Sequence, residues 1–357
     1  MSKVDIIIPV LNEERFIRSC LESVAAFDRE PETTIVAYVV DGGSTDRTRD
    51  LVMEAAVRFP DIRVLDNPGR IQSCALNKAL RCGDGEYVLR LDAHAEYPRD
   101  YLARCLRVSN ETKADNVGGR VITMSGSTGF QARIVQALST HWFGVGNSTF
   151  RLHAKAGPAD TVPFGFFRKS IFERIGYFDE RLLRAQDYEF NRRIIASGGA
   201  VWLDPEITIF YYNMPDLWSF YRKQLLEGCY NSYLWYLAPY AFAFRHCISG
   251  AFAAGLLCGC LCSLLIPLIA LPLGSVLALY FVLATFASFQ QARRYRSAVL
   301  ALALPPCFFL FHLFHGLGVL RGLLSLFFAN AQVQKVREPW PGAKRFRAWP
   351  IPATEQS

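Results

Sequence analysis

The sequence predicts a mostly parallel α/β sheet covered by helices, followed by helices that cross a membrane. Three observations carry this expectation. Short β-branched runs alternate with amphipathic stretches through the first hundred residues. The turns that look functional, at residues 11–14, 41–46 and 92–94, each follow a strand, which in a parallel sheet gathers them on one edge. From Cys247 to Phe289 there is no Asp, Glu, Lys or Arg, a stretch about twice the ~20 residues that one span needs.

Residues 4–10 have the composition of a buried strand and lead into Leu11-Asn12-Glu13-Glu14. A helical pattern follows over residues 15–27, with Phe16, Ile17, Cys20, Leu21 and Val24 on one face. Residues 35–40 read as a second buried strand that stops at Asp41-Gly42-Gly43-Ser44-Thr45-Asp46. The glycines allow a tight turn there, and Ser44 or Thr45 can cap a helix over residues 47–58. A third strand covers 62–65. The loop Asn67-Pro68-Gly69-Arg70 then precedes a helix with Ala75, Leu76, Ala79 and Leu80 on its face. The fourth strand, 87–91, ends abruptly at Asp92-Ala93-His94.

Asp92 and His94 lie two apart where the chain leaves the sheet, so both can point at one cation. On its own the triplet reads better as an ordinary polar turn, because a lone acid-x-His is a weak motif. Asp41, at the end of its own strand, can accept a hydrogen bond from a base or a ribose, or simply shape its Asp-Gly turn.

The ordered set Ile8-Pro9-Val10-Leu11-Asn12-Glu13-Glu14, Asp41-Gly42-Gly43-Ser44-Thr45-Asp46-Arg47-Thr48 and Leu91-Asp92-Ala93-His94 resembles the family 2 glycosyltransferases of GT-A fold. The likeness extends over most of residues 4–230. The Asp-Ala-His in place of an Asp-x-Asp resembles the bacterial succinoglycan-type exopolysaccharide glycosyltransferases. The resemblance implies that Pro9, Asn12, Glu13, Asp41, Gly42 and Ser44 contact the nucleotide, and that Asp92 and His94 hold Mg2+ or Mn2+.

Farther on, Val117-Gly118-Gly119-Arg120 looks like a strand and loop, and residues 142–147 read as a glycine-rich connector or substrate loop. Asp187 and Glu189 flank an aromatic at a helix start, where the macrodipole favours acids in any case. They point about 200° apart on a helix and need not share a role. The resemblance implies that Asp187 is the general base, with Gln186 where the broader family has an acid. Residues 201–205 and 207–212 read as two short closing strands, and 218–236 is rich in aromatics, as suits a membrane interface.

The expected layout is a GT-A transferase domain over 1–215, an aromatic interfacial segment over 216–246, transmembrane helices over 247–330 and a basic tail over 331–357. Pro267, Pro272 and Gly274 interrupt the uncharged run, predicting spans at 248–268 and 273–291. A third span is expected over 297–320, although it would place Lys335, Arg337, Lys344, Arg345 and Arg347 against the positive-inside bias. Arg222, Lys223, Arg245, Arg293, Arg294 and Arg296 put the catalytic domain on the cytoplasmic side of an inner, multi-pass location. No secretory leader is read at the start. Ten scattered cysteines lack metal spacing, and a net charge of +7 without a basic, aromatic-interleaved stripe argues against a nucleic-acid partner.

The function expected is inverting transfer of a sugar from a nucleoside-diphosphate sugar, a UDP-sugar foremost, to a lipid-linked saccharide. Membrane lipid and other polysaccharide-assembly proteins are the further partners expected. The alternatives are a membrane nucleotidyltransferase and a non-catalytic nucleotide-sugar-binding scaffold. The chain has no GxxxxGK[ST] loop, which weighs against the first.

Overall fold

A computed structural model describes residues 2–152 and 155–334. Most of the expected basic tail, 335–357, lies outside the described residues. The described residues fall into two compact units, one of 2–122 with 155–211 and one of 123–152 with 212–334.

The first unit opens with the alternation β1 (Ser2–Val10), α1 (Ile17–Ala25), β2 (Thr33–Asp41), α2 (Thr48–Arg58), β3 (Ile62–Asp66), α3 (Gln72–Cys82) and β4 (Tyr87–Arg90). Then come β5 (Ala95–Glu96), α4 (Tyr101–Thr112) and β6 (Asn116–Met124). The chain leaves this unit for α5 (Phe130–Leu138), α6 (Trp142–Val145) and α7 (Thr149–Leu152). It returns with β7 (Gly157–Pro158), β8 (Phe166–Arg168), α8 (Ser170–Ile175), α9 (Gln186–Ala196) and β9 (Val201–Tyr212).

The nine strands make one sheet in the order β3-β2-β1-β4-β8-β6-β9-β5, with β7 also on β9. β3, β2, β1 and β4 run parallel, as the alternation requires. β8 then pairs antiparallel with both β4 and β6, so the fold is a mixed, mostly parallel sheet of the GT-A kind. Val4, Ile6, Ile7, Ile8, Val39, Val40 and Leu89 are buried at its centre, where strands covered on both faces need apolar residues throughout. The two closing strands expected over 201–212 are a single strand, β9, running through Pro205. A proline is tolerated in a strand where its missing N–H is not needed by a neighbour.

Gly119 on β6 has no room for a side chain, because an added Cβ would stand 1.9 Å from the Ile207 carbonyl oxygen on β9. Gly119→Ala must therefore push two backbones apart. It is expected to cost about 3 kcal/mol, read as a lowered thermal midpoint of the detergent-purified chain. An unchanged midpoint would show that the two strands are not held this closely.

The second unit holds α5–α7 with α10 (Leu217–Leu237), α11 (Ile248–Leu265), α12 (Ala270–Arg294) and α13 (Val299–Phe327). Three stretches, Phe244–Leu265, Pro267–Arg294 and Val299–Phe327, are helical and long and apolar enough to cross a membrane. The break between the first two falls at residues 266–269, earlier than the interval 269–272 expected. Pro272 sits in the first turn of α12, where its missing N–H costs nothing. α13 continues unbroken through Pro305 and Pro306.

The aromatic segment that includes α10 packs lengthwise on α13. Gly228 permits it, since a Cβ there would lie 2.0 Å from the His315 carbonyl oxygen. Residues 142–147, the connector or substrate loop, are the short helix α6 and the turn that follows it, in this same unit. His141 caps it, its Nδ1 accepting from the Phe143 N–H at 3.1 Å, and its Nε2–H donates to Gln290 at 2.7 Å. Phe143 packs edge-on to Phe308.

Candidate active site

The carboxyl ends of β1 and β2 are stapled together by their turns. Asn12 takes a left-handed φ of 57°. Its N–H donates to Ser44 Oγ at 3.0 Å, and its side-chain oxygen accepts from the Thr45 N–H at 2.8 Å. The Glu13 N–H donates to Thr48 Oγ1 at 2.7 Å, and the Gly42 N–H to the Val10 carbonyl at 2.9 Å. Asp41 is buried. Its Oδ1 accepts from the N–H and hydroxyl of Ser44 at 3.0 and 2.7 Å, and its Oδ2 from Arg49 at 3.4 Å. In this form of the site Asp41 shapes its own turn. Pro9, half-buried, pairs across to Val40 behind that turn.

At the end of β4 the chain places Arg90, whose side chain is only 4% exposed. Its Nη2 donates to Asp92 Oδ1 at 2.8 Å and its Nη1 to Asp187 Oδ2 at 2.5 Å. Gln72, the first residue of α3, also donates to Asp92 Oδ1 at 3.2 Å, and Gln186 of α9 donates in turn to Gln72. The Asp92 N–H is held by the Tyr97 hydroxyl at 2.8 Å, and Tyr97 packs against Phe27 and Tyr101. The turn after β4 is therefore braced by an aromatic cluster beneath it.

Asp187 reaches this point because α9 is anchored behind it. Phe190 stacks on Phe172 at 4.9 Å and lies 4.6 Å from Phe178. Glu189 is fully buried in an ion pair with Arg193, whose Nη1 also donates to the Ile175 and Tyr177 carbonyls. The two acids, which need not share a role, have different partners: Glu189 pairs with Arg193 within the helix, while Asp187 faces Arg90.

His94 is clamped on both nitrogens, 3.0 Å from a Glu13 carboxylate oxygen through Nδ1 and 3.0 Å from the Tyr211 hydroxyl through Nε2. Burial disfavours its charge, but Tyr211, the Glu13 hydrogen bond and the charge of Asp92 outweigh it and push the imidazole up to about 10. Both ring nitrogens are thus engaged in this form.

The structure thus joins Asp92 to Asp187 through Arg90, joins His94 to Glu13, and puts Asn12, Asp41, Gly42 and Ser44 together in the adjoining turns. Arg90, Gln72 and Tyr211 were missed from sequence. Arg90 had a signal, as the one charge in a strand of otherwise buried residues. Tyr211 had none, because it lies 117 residues from its partner.

Among the described residues no three His, Cys, Asp or Glu side chains converge into a ready cation cage. The donor set still fits a hard divalent cation that arrives with a diphosphate, because such ions are held by one or two protein side chains and the phosphates themselves. Glu13 on Nδ1 is the partner that a ligating histidine has on its far nitrogen. To ligate through Nε2, the ring must leave the Tyr211 hydroxyl.

Residues 5–176 match the model of Glycosyl transferase family 2. The chain is 34% identical over 224 residues to the succinoglycan biosynthesis protein ExoA of Rhizobium meliloti, covering 60% of this chain and 66%, just under two thirds, of that one. It is 27% identical over 343 residues to a dolichyl N-acetyl-α-D-glucosaminyl phosphate 3-β-D-2,3-diacetamido-2,3-dideoxy-β-D-glucuronosyltransferase of Methanococcus voltae, covering 91% and 98%. The mannosyltransferase of Pyrobaculum calidifontis, solved with GDP-Man and Mn2+, shares the fold with a TM-score of 0.58 at 17% identity over 90% of this chain and 87% of that one. Residues 5–176 are a family 2 glycosyltransferase domain, which takes in the turn of Asp92 after β4 and ends before Asp187 on α9.

Proposed function

We propose that the chain transfers one sugar, with inversion, from a nucleoside-diphosphate sugar to a lipid-linked saccharide at the cytoplasmic face of a membrane. The observation that carries this reading is the meeting of Asp92 and Asp187 on one guanidinium, with His94 and Glu13 beside them. The relative named for a dolichyl-phosphate-linked sugar supports the acceptor class, and the one named for succinoglycan biosynthesis supports a saccharide product. Three apolar helices would keep the chain beside such a lipid.

In this reading Asp187 accepts the proton of the acceptor hydroxyl as its oxygen attacks the anomeric carbon. The bond from that carbon to the donor phosphate breaks, and its electron pair leaves with the nucleoside diphosphate. Single displacement turns an α-linked donor into a β-linked product. Asp92 and, through Nε2, His94 would hold Mg2+ or Mn2+, which when bound offsets the charge that develops on the departing diphosphate. Glu13 orients the imidazole. Asn12, Asp41, Gly42 and Ser44 form the ledge for the nucleotide, with Pro9 supporting it from β1.

The purified full chain, given a panel of UDP- and GDP-sugars with Mn2+, is expected to release nucleoside diphosphate and to stop when EDTA is added. Adding membranes that contain lipid-linked saccharides should move label from donor to lipid. Pyrophosphate release from a nucleoside triphosphate would instead mark a nucleotidyltransferase, and no turnover of any donor would leave a binding scaffold.

A further inference from the structure

We propose that Arg90 is a positioning residue that couples the two acids of the site: it holds Asp187 in place for proton transfer and competes at Asp92 with the incoming divalent cation. This rests on the reading of Asp187 as base and Asp92 as cation ligand given above.

The observations are geometric. Arg90 is a buried cation in a strand whose other residues are buried and apolar, a placement that is costly unless the charge is fully used. A comparison within the molecule shows how it is used. Arg193, equally buried, pairs with an acid of its own helix and satisfies its remaining donors on the backbone carbonyls of Ile175 and Tyr177. That is the pattern of an arginine that braces a fold. Arg90 instead gives each Nη to a different carboxylate, one on its own turn and one 97 residues away on α9. Its Nε has no hydrogen-bond partner among the described residues.

The backbone beneath Arg90 is shaped to hold it. Phe164 adopts a left-handed φ of 63°, a conformation that bulky residues rarely take, and its ring lies 5.3 Å from the guanidinium. The Arg90 N–H is meanwhile tied to the Gly165 carbonyl at 3.0 Å. A segment held this way makes the guanidinium a fixed point rather than a mobile side chain.

The consequence is a pair of effects with opposite sign. A guanidinium 2.8 Å from Asp92 offsets the carboxylate charge that would attract a divalent cation. The same group fixes the direction of the Asp187 carboxylate. Loss of Arg90 should strengthen cation binding and weaken turnover together. An arginine that only supports the fold would lower both.

The test uses the purified full chain with Arg90→Gln and Arg90→Lys, alongside Asp92→Ala and Asp187→Asn. Binding of Mn2+ alone is followed by the loss of its free-ion electron paramagnetic resonance signal. Turnover is followed as diphosphate release from the UDP- and GDP-sugar panel. Arg90→Gln is expected to bind Mn2+ about fivefold more tightly while its turnover falls about 100-fold. Arg90→Lys keeps the charge but not the fork, so its Mn2+ affinity should stay near the parent's while turnover falls.

Equal or weaker Mn2+ binding by Arg90→Gln overturns the proposal, as does unimpaired turnover. Should Arg90→Gln fail to fold by its melting curve, Arg90→Lys decides: loss of both properties overturns the proposal. Failure of the underlying reading looks different. In that case Asp92→Ala leaves Mn2+ binding unchanged, or Asp187→Asn turns over normally, whatever the Arg90 variants do.

Discussion

Asp187→Asn is expected to lower turnover by about 10²- to 10⁴-fold, the span that removal of a positioned general base covers, with Mn2+ binding and the donor KM little changed. The substitution is nearly isosteric. Arg90 Nη1 can still donate to the amide oxygen that replaces Oδ2. The anchors of α9 lie elsewhere, in Phe190 against Phe172 and Phe178 and in the buried Glu189–Arg193 pair. The fold should therefore persist, and a melting curve beside the kinetic assay checks this. What is lost is the capacity to take a proton from the attacking hydroxyl. That step is felt in the transition state and not on binding, so kcat and kcat/KM should fall together. Turnover within about threefold of the parent would remove Asp187 from the base role.

Asp92→Ala should abolish the response to Mn2+ and reduce turnover by about 10²- to 10³-fold, the scale on which one group stabilising a developing anion acts. It should also destabilise the chain, because it strips a partner from a guanidinium that is only 4% exposed. Breaking a buried pair in this way costs about 3–5 kcal/mol. Asp92→Asn separates the two effects. Its amide oxygen can still accept from Arg90 and Gln72, so stability should recover while the response to the cation does not. A Mn2+ titration that saturates normally in Asp92→Asn would count against Asp92 as the ligand.

Much of this architecture is legible in the chain. The runs at 4–10, 35–40, 62–65 and 87–91 became β1, β2, β3 and β4; the first two are apolar nearly throughout because central strands are covered on both faces, while β3, at the sheet edge, keeps Arg63 exposed. The edge on which the turns gather follows from that parallel order. The uncharged run after Cys247 became helices long and apolar enough to cross a membrane, a form in which a segment satisfies its own backbone. Other features left weaker traces. Glu13 was read as a nucleotide contact, and the structure places its carboxylate on His94. His94 was read as a ligand, and in this form both its nitrogens are already engaged.

By itself, then, the sequence determined the four parallel strands, the edge that carries Asp41 and Asp92, and the apolar helices that follow. These depend on local composition and on patterns read within a few residues. Only the tertiary structure decided what the Asp-Ala-His turn is made of. Arg90 joins Asp92 to Asp187 across 97 residues, and Tyr211 meets His94 across 117. Pairings of that separation follow from strand order and helix anchoring, and no local pattern in the chain records them.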